Sequence, residues 1–167
     1  GLKVVDAMKI TGIIICHDSE KQGRLNFEPI IEKTRKMLSA WKGRNLSIFG
    51  KVIAVKAHAL SFMQFAGSVI SVPEWVISEM NKIIYKFVWG GPDKITRTNA
   101  AHPISEGGIN LPMLKNVIIA SQIQWIRRRY KFPNKAWATF FDIDLNKLGG
   151  ENVLVGGMHR EVNLDSV

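Results

Sequence analysis

Apolar and polar positions alternate in blocks along the chain. Residues 9–16, KITGIIIC, are apolar and β-branched, which predicts a short buried strand. The polar run HDSEKQGR, residues 17–24, reads as the loop after it. From Asn26 the period changes. At about 100° per residue, Phe27, Ile30, Ile31, Thr34, Met37, Leu38 and Trp41 share one face of a helix, with Asn26 as its N-cap. Lys33, Arg35, Lys36, Lys42, Glu28 and Glu32 lie off that face.

The residues GRNL break this helix, and Ser47 caps a second, over 48–66. Ile48, Val52, Val55, Ala59 and Phe62 line one side of it, with Ile53, Leu60 and Met63 beside them. The run SVISVPEW, 68–75, is an extended break. Pro73 suits the first turn of a third helix, to Trp89, striped by Ile77, Met80, Ile83, Ile84, Phe87 and Val88. Gly90–Gly91 stops it. Residues 90–111 read as irregular, and Gly107–Gly108 allows a small hairpin near 102–111. Pro112 opens a fourth helix, 112–130, ending in Arg127–Arg128–Arg129. The expected fold class is mainly α: a bundle of about four helices with a short N-terminal strand. The expected division is 1–24 for strand and loop, 25–131 for the helical domain, and 132–167 for a tail. Residues 138–167 hold five acids against two bases and two Gly–Gly pairs, so the tail is expected to be loosely ordered.

Composition adds a partner class. The 167 residues suit one domain, and 46% apolar content is ample for a core. A net charge of +9 draws such a domain toward nucleic acid or an anionic membrane, with plain solubility as the alternative. The apolar runs all look shorter than the roughly 18 residues of a membrane span, so no membrane partner is expected. Residues 1–15 lack the charged start and cleavage site of a signal peptide. The chain therefore reads as intracellular, nuclear or cytoplasmic, and its opening without Met is compatible with a fragment. Cys16, the lone cysteine, sits in IIIC as a small hydrophobe rather than a nucleophile. The four His and one Cys show no metal-ligand spacing, so neither metal nor cofactor is expected.

The stretch WKGRNLSIFGKVIAVK, 41–56, resembles a phosphate loop at first sight. A phosphate-binding P-loop needs four residues between its first Gly and the Gly-Lys pair, then Ser or Thr. Here six residues separate Gly43 from Gly50, Val52 follows Lys51, and a helix precedes. HDS, 17–19, holds the letters of a hydrolase triad, but adjacent residues cannot form one. DIDLNK, 142–147, opens like a calcium loop yet has Lys147 where Gly is needed and Val153 where Glu is needed. No catalytic constellation remains, so catalysis is not expected of this chain by itself.

The positive charge is uneven. Between residues 21 and 56, nine bases face two acids. That density suits a surface touching phosphates, although Lys33 and Lys36 read as a solvated helix face. Lys56 falls among Phe49, Val52, Leu60 and Met63 on the helical wheel. It must snorkel, find a partner or contact a ligand. On the third helix, Trp75, Lys82, Lys86 and Trp89 share an arc opposite the apolar stripe, a pattern that binds strands by stacking plus charge. The alternative is that both tryptophans cover neighbouring loops.

In this order, KITGIII, WKGRNLSIFGKVIAVK, PEWV…IIYKFVWGGPDK and GGINLPMLKNVIIASQIQWIRR resemble one region of non-LTR (LINE-type) retrotransposon reverse transcriptases. It is the region just after the polymerase palm, and the resemblance covers residues 9–130. The resemblance implies an RNA-directed DNA polymerase parent. Its catalytic aspartates, which use magnesium, would lie upstream in a Tyr-x-Asp-Asp type motif absent here. This chain would be the end of the palm, the helical thumb and its C-terminal connection. A thumb holds the backbone of the RNA/DNA template–primer duplex and abuts the palm. The family pattern falls on Gly50, Lys51 and Lys56, and on Trp41, Arg44 and Leu46. With the charge and aromatic patterns, the candidate nucleic-acid contacts are Lys42, Arg44, Lys51, Lys56, Lys82, Lys86 and Trp89. A helical protein-interaction module using Trp75 and Trp89, or a decayed element copy, are the alternatives.

Overall fold

The computed structural model describes residues 5–155. It opens on a β-hairpin rather than the single buried strand expected over 9–16. Strand β1, Ala7–Ile10, pairs antiparallel with β2, Ile13–Cys16, with Ile10 opposite Ile13. The two-residue loop is Thr11–Gly12, with φ of 47° and 97°. Two successive positive φ values are the mark of a type I′ turn, whose twist matches the strands it joins. Only Ile13 of the hairpin is buried.

Helix α1 runs Ser19–Lys42, so it begins where a loop was expected. Its N-cap is Asp18, whose Oδ1 accepts from the N–H groups of Glu20 and Lys21 at 2.9 and 3.1 Å. Asn26, expected as the cap, lies inside the helix and is buried. Pro29 also sits within α1, on its exposed side. The inward stripe is Phe27, Ile31, Thr34 and Leu38, in steps of three and four. The Thr34 hydroxyl is buried without a hydrogen-bond partner among the described residues.

Ser47 caps the next helix, accepting from the Gly50 N–H at 3.2 Å. Helix α2, Ile48–Ala54, passes into a π-helical segment, Val55–Leu60, and then into α3, Ser61–Val69. This continuous run extends past the expected end at 66. At 22 residues it is long and apolar enough to cross a membrane, which corrects the expectation from apolar runs alone. Its inner side, however, packs in the core through Val52, Val55, Ala59 and Met63.

Helix α4, Glu74–Trp89, starts after Pro73 and ends on Gly90 at φ 72°, the left-handed stop expected for Gly90. Val76, Met80, Ile84 and Val88 are its most buried positions. Residues 102–111 form no hairpin of strands. Helix α5, Arg97–Ala101, leads into a 3-10 turn, Ile104–Glu106, closed by Gly107 at φ 80°. The returning chain hangs on α5: Ile109 and Leu111 donate to the Ala100 carbonyl at 3.3 and 2.9 Å. Backbone bonded to a helix end cannot also build a strand ladder.

Helix α6, Leu114–Lys131, packs Leu114 and Ile118 into the same core. Gly67 permits its approach to α3, since a Cβ there would stand 3.3–3.4 Å from Val72 and Ile118. The chain divides into two compact units, one ending at Gln122 and one beginning at Ile123. The core just described belongs to the first. In the second, residues 136–147 form helix α7, Ala136–Lys147, where a loose tail was expected, and α8 follows at Asn152–Val155. The acid count concealed a repeat that buries Ala138 and Leu145, and Arg129 anchors Asp142 at 2.7 Å. The expected loose order of residues 156–167 lies outside the described residues. Among the described residues the architecture is mainly α with one small sheet.

Candidate nucleic-acid interface

The basic stretch at 42–51 is a turn between two helices. Lys42 is the last residue of α1 and is exposed. Gly43 and Arg44 turn the chain, both donating their N–H to the Trp41 carbonyl. The Arg44 guanidinium lies 4.5 Å from the Trp41 ring centroid, a cation–π distance, and Arg44 is exposed. Leu46 tucks against the core and Ser47 starts α2.

Lys51 is placed differently. Its Nζ donates to the Val88 carbonyl at 3.2 Å, tying α2 to the last turn of α4. A cation there satisfies an orphan carbonyl and complements the helix dipole. Lys56 is the second residue of the π segment and is half-buried, without a hydrogen-bond or ion-pair partner among the described residues. The π turn shifts every later residue relative to an α-helical wheel, so the wheel misplaced Lys56 with respect to Leu60 and Met63.

The third-helix pattern does not form one open face. Trp89 packs against the core, and its indole N–H is buried without a partner among the described residues. Trp75 is 40% exposed, at the other end of α4, in a groove that also holds Glu28, Glu32 and Glu79. Lys82 leans 3.5 Å from Glu79, which also receives Arg35 from α1 at 3.0 Å. Lys86 instead faces α1. With Lys42 and Arg35 it rims a groove floored by Leu38, Ile83 and Phe87. The structure thus gathers Lys42 and Lys86, with Arg44 two residues from Lys42, at one end of the α1–α4 pair. None of these three has a carboxylate partner among the described residues.

Sequence reasoning missed a row of rings beside this turn. Trp41 and His58 lie 5.7 Å apart, and His58 and Phe62 lie 6.1 Å apart. Arg44 caps one end and Lys33 the other, 4.1 Å from the Phe62 centroid. Lys33, read as a solvated charge, therefore rests on a ring. The only signal was the i,i+4 spacing of His58 and Phe62, and the π segment blurs it.

Further along unit one, Arg97 stacks 4.4 Å from the Tyr85 ring and pairs with Asp93 at 3.2 Å. Burial pushes the Tyr85 phenol above its ordinary 10.0, and the Arg97 charge opposes that rise. In unit two, the hydrogen bond from Arg129 to Asp142 holds the Arg129 guanidinium more firmly protonated. Asp144 pairs with Lys147 at 3.0 Å, so both acids of the DIDLNK stretch are engaged by cations. Among the described residues, no three His, Cys, Asp or Glu side chains gather as a metal site.

No family model matches the chain, and no solved structure matches it significantly. Two curated proteins are similar in sequence. One, from Arabidopsis thaliana, carries the name of a ribonuclease H protein; it is 24% identical over 127 residues, or 70% of this chain. The other is an uncharacterized 149 kDa protein of transposon TX1 from Xenopus laevis, 25% identical over 122 residues, or 68% of this chain. The chain spans 20% of the first relative's length and 9% of the second's. These similarities support a retroelement-derived origin for the chain.

Proposed function

We propose that this chain is the thumb-like, template–primer-binding part of a retrotransposon RNA-directed DNA polymerase. The observation that carries the reading is the cluster of Lys42, Arg44 and Lys86, cations without carboxylate partners at one end of α1 and α4. Its position coincides with the stretch on which the reverse-transcriptase resemblance rests. The role is to hold duplex phosphates, with Lys51 bracing α2 against α4 behind them. The chain itself performs no chemistry on this reading; magnesium and the catalytic aspartates belong to the upstream palm. That palm would also cover Phe49, Ile53, Phe65 and Val69, large apolar side chains left exposed along α2 and α3.

The test is binding of an RNA/DNA heteroduplex across a salt series, for the chain and for a Lys42→Ala/Arg44→Ala/Lys86→Ala variant. Three lost phosphate contacts lower the slope of log affinity against log salt by about 2–3. An unchanged affinity and slope would falsify the reading.

A further inference from the structure

Among its described residues, the second unit holds more basic charge than their carboxylates engage. From Ile123 to Val155 it carries six cations and three carboxylates. All three carboxylates are engaged: Asp142 by Arg129 at 2.7 Å, Glu151 by Arg129 at 3.5 Å, and Asp144 by Lys147 at 3.0 Å. Arg127, Arg128, Lys131 and Lys135 are exposed and have no carboxylate partner among the described residues. A helix dipole favours cations in a last turn, but it does not account for the rings set among them. Tyr130 is 52% exposed and Phe132 45%, although aromatic side chains of this size are mostly buried.

The spacing interleaves the two kinds of side chain. Arg127, Tyr130 and Lys131 share one helical face, in steps of three and four. Phe132 continues the turn, its N–H donating to the Arg128 carbonyl at 2.9 Å, and Lys131 Nζ lies 5.4 Å from its ring centroid. Lys135 follows after the next turn, its N–H donating to the Phe132 carbonyl at 3.3 Å. The Tyr130 hydroxyl reaches Glu151 at 3.5 Å, so the ring is steadied at its edge.

We propose that the end of α6 and the turn into α7 form a second nucleic-acid surface, which takes an unpaired strand. Phosphates lie along Arg127, Arg128, Lys131 and Lys135, and bases stack on Tyr130 and Phe132. A duplex hides its base faces, so exposed rings among cations favour a single strand over the paired substrate assigned to unit one. The surface uses residues of the second unit alone and shares none with the duplex contact proposed above.

The experiment is fluorescence anisotropy with labelled oligothymidylate, using the full chain. An Arg127→Gln/Arg128→Gln/Lys131→Gln variant keeps helix propensity near that of the parent. It is expected to lose about tenfold or more in affinity, with a salt slope lower by about 2. A Tyr130→Leu/Phe132→Leu variant is expected to lose about tenfold with its salt slope unchanged. Photo-cross-linking of the unaltered chain to oligothymidylate carrying 5-iodouracil is expected to mark Tyr130 or Phe132, which needs no variant to fold. The proposal is overturned if either variant binds oligothymidylate within about twofold of the parent, or if cross-links fall only elsewhere. It is also overturned if the cation variant loses phosphatidylserine vesicles equally while the ring variant loses nothing. Loss of heteroduplex binding in the Lys42, Arg44 and Lys86 variant is read on a different probe, so either proposal can fail without the other.

Discussion

Asn26 pairs with Ile14 as a third strand would. Its Oδ1 accepts the Ile14 N–H at 2.8 Å, and its Nδ2 donates to the Ile14 carbonyl at 2.7 Å and to the Gln22 carbonyl at 2.8 Å. One turn earlier, Gln22 Oε1 accepts the Cys16 N–H at 3.0 Å. Two amides on one face of α1 thus cover the outer edge of β2 in a two-stranded sheet that could not stand alone. Asn26→Leu leaves the Ile14 peptide groups unpaired in a partly buried place. The expected cost is about 2–3 kcal/mol of unfolding free energy, measured by urea denaturation. A midpoint equal to the parent's would show that water replaces the amide at no cost.

Lys51 is expected to matter for stability before it matters for binding. Replacing it by Met keeps the aliphatic stem and removes the donor to Val88. The loss is about 1–2 kcal/mol, read as a lower thermal midpoint. Lys51→Arg should recover part of it, since a guanidinium can still reach the carbonyl. If Lys51→Met melts with the parent yet binds heteroduplex as weakly as Arg44→Ala, the bracing role is wrong.

Gly108 has no room for a side chain. A Cβ built there collides with the His102 carbonyl and stands 2.8 Å from the Asn99 carbonyl oxygen, both backbone atoms of the α5 turn. Since neither can swing aside as a side chain would, Gly108→Ala is expected to cost about 2–3 kcal/mol or more. Gly91, with open space around its Cβ position, is the control and should tolerate alanine. Equal urea midpoints for the two variants would contradict the close approach.

The buried Tyr85 phenol gives the fold an alkaline weakness. Because its folded value lies above 10.0, the unfolded chain releases this proton first as pH rises. The associated stability is fully present below pH 10 and is lost as pH climbs through the folded value. Tyr85→Phe removes the ionisation. Its thermal midpoint should therefore fall less than the parent's between about pH 9 and pH 11. Parallel curves for the two proteins would reject burial as the cause.

The helices were legible where one residue type settles a boundary. Ser47 as a cap and Gly90 as a stop depend on local chemistry that the sequence carries whole. The start of α1 was not legible, because Asp18 and Asn26 are both good caps and the hairpin decides between them by claiming Asn26. The Thr11–Gly12 turn hid inside a β-branched run, since threonine seldom adopts positive φ. Of the candidate interface, the charge density was visible, but its assignment was not. Lys51, Lys86 and Trp89 have equal standing in the sequence. Only the packing of α2 and α1 against α4 sends one to a carbonyl, one to a groove and one into the core.

The π turn at Val55–Leu60 also has a genealogical meaning. Such a turn accommodates one residue beyond the α-helical count while the helix continues through it. A kindred chain shorter by one residue here would either tighten to plain α-helix or swing α3 by about 100°. Val52 and Val55 lie before or at the insertion, whereas Met63 and Ala66 lie after it, and all four are buried. The widened turn therefore keeps two halves of one apolar stripe in phase, and a relative one residue shorter between 55 and 60 is expected to keep an unbroken helix there.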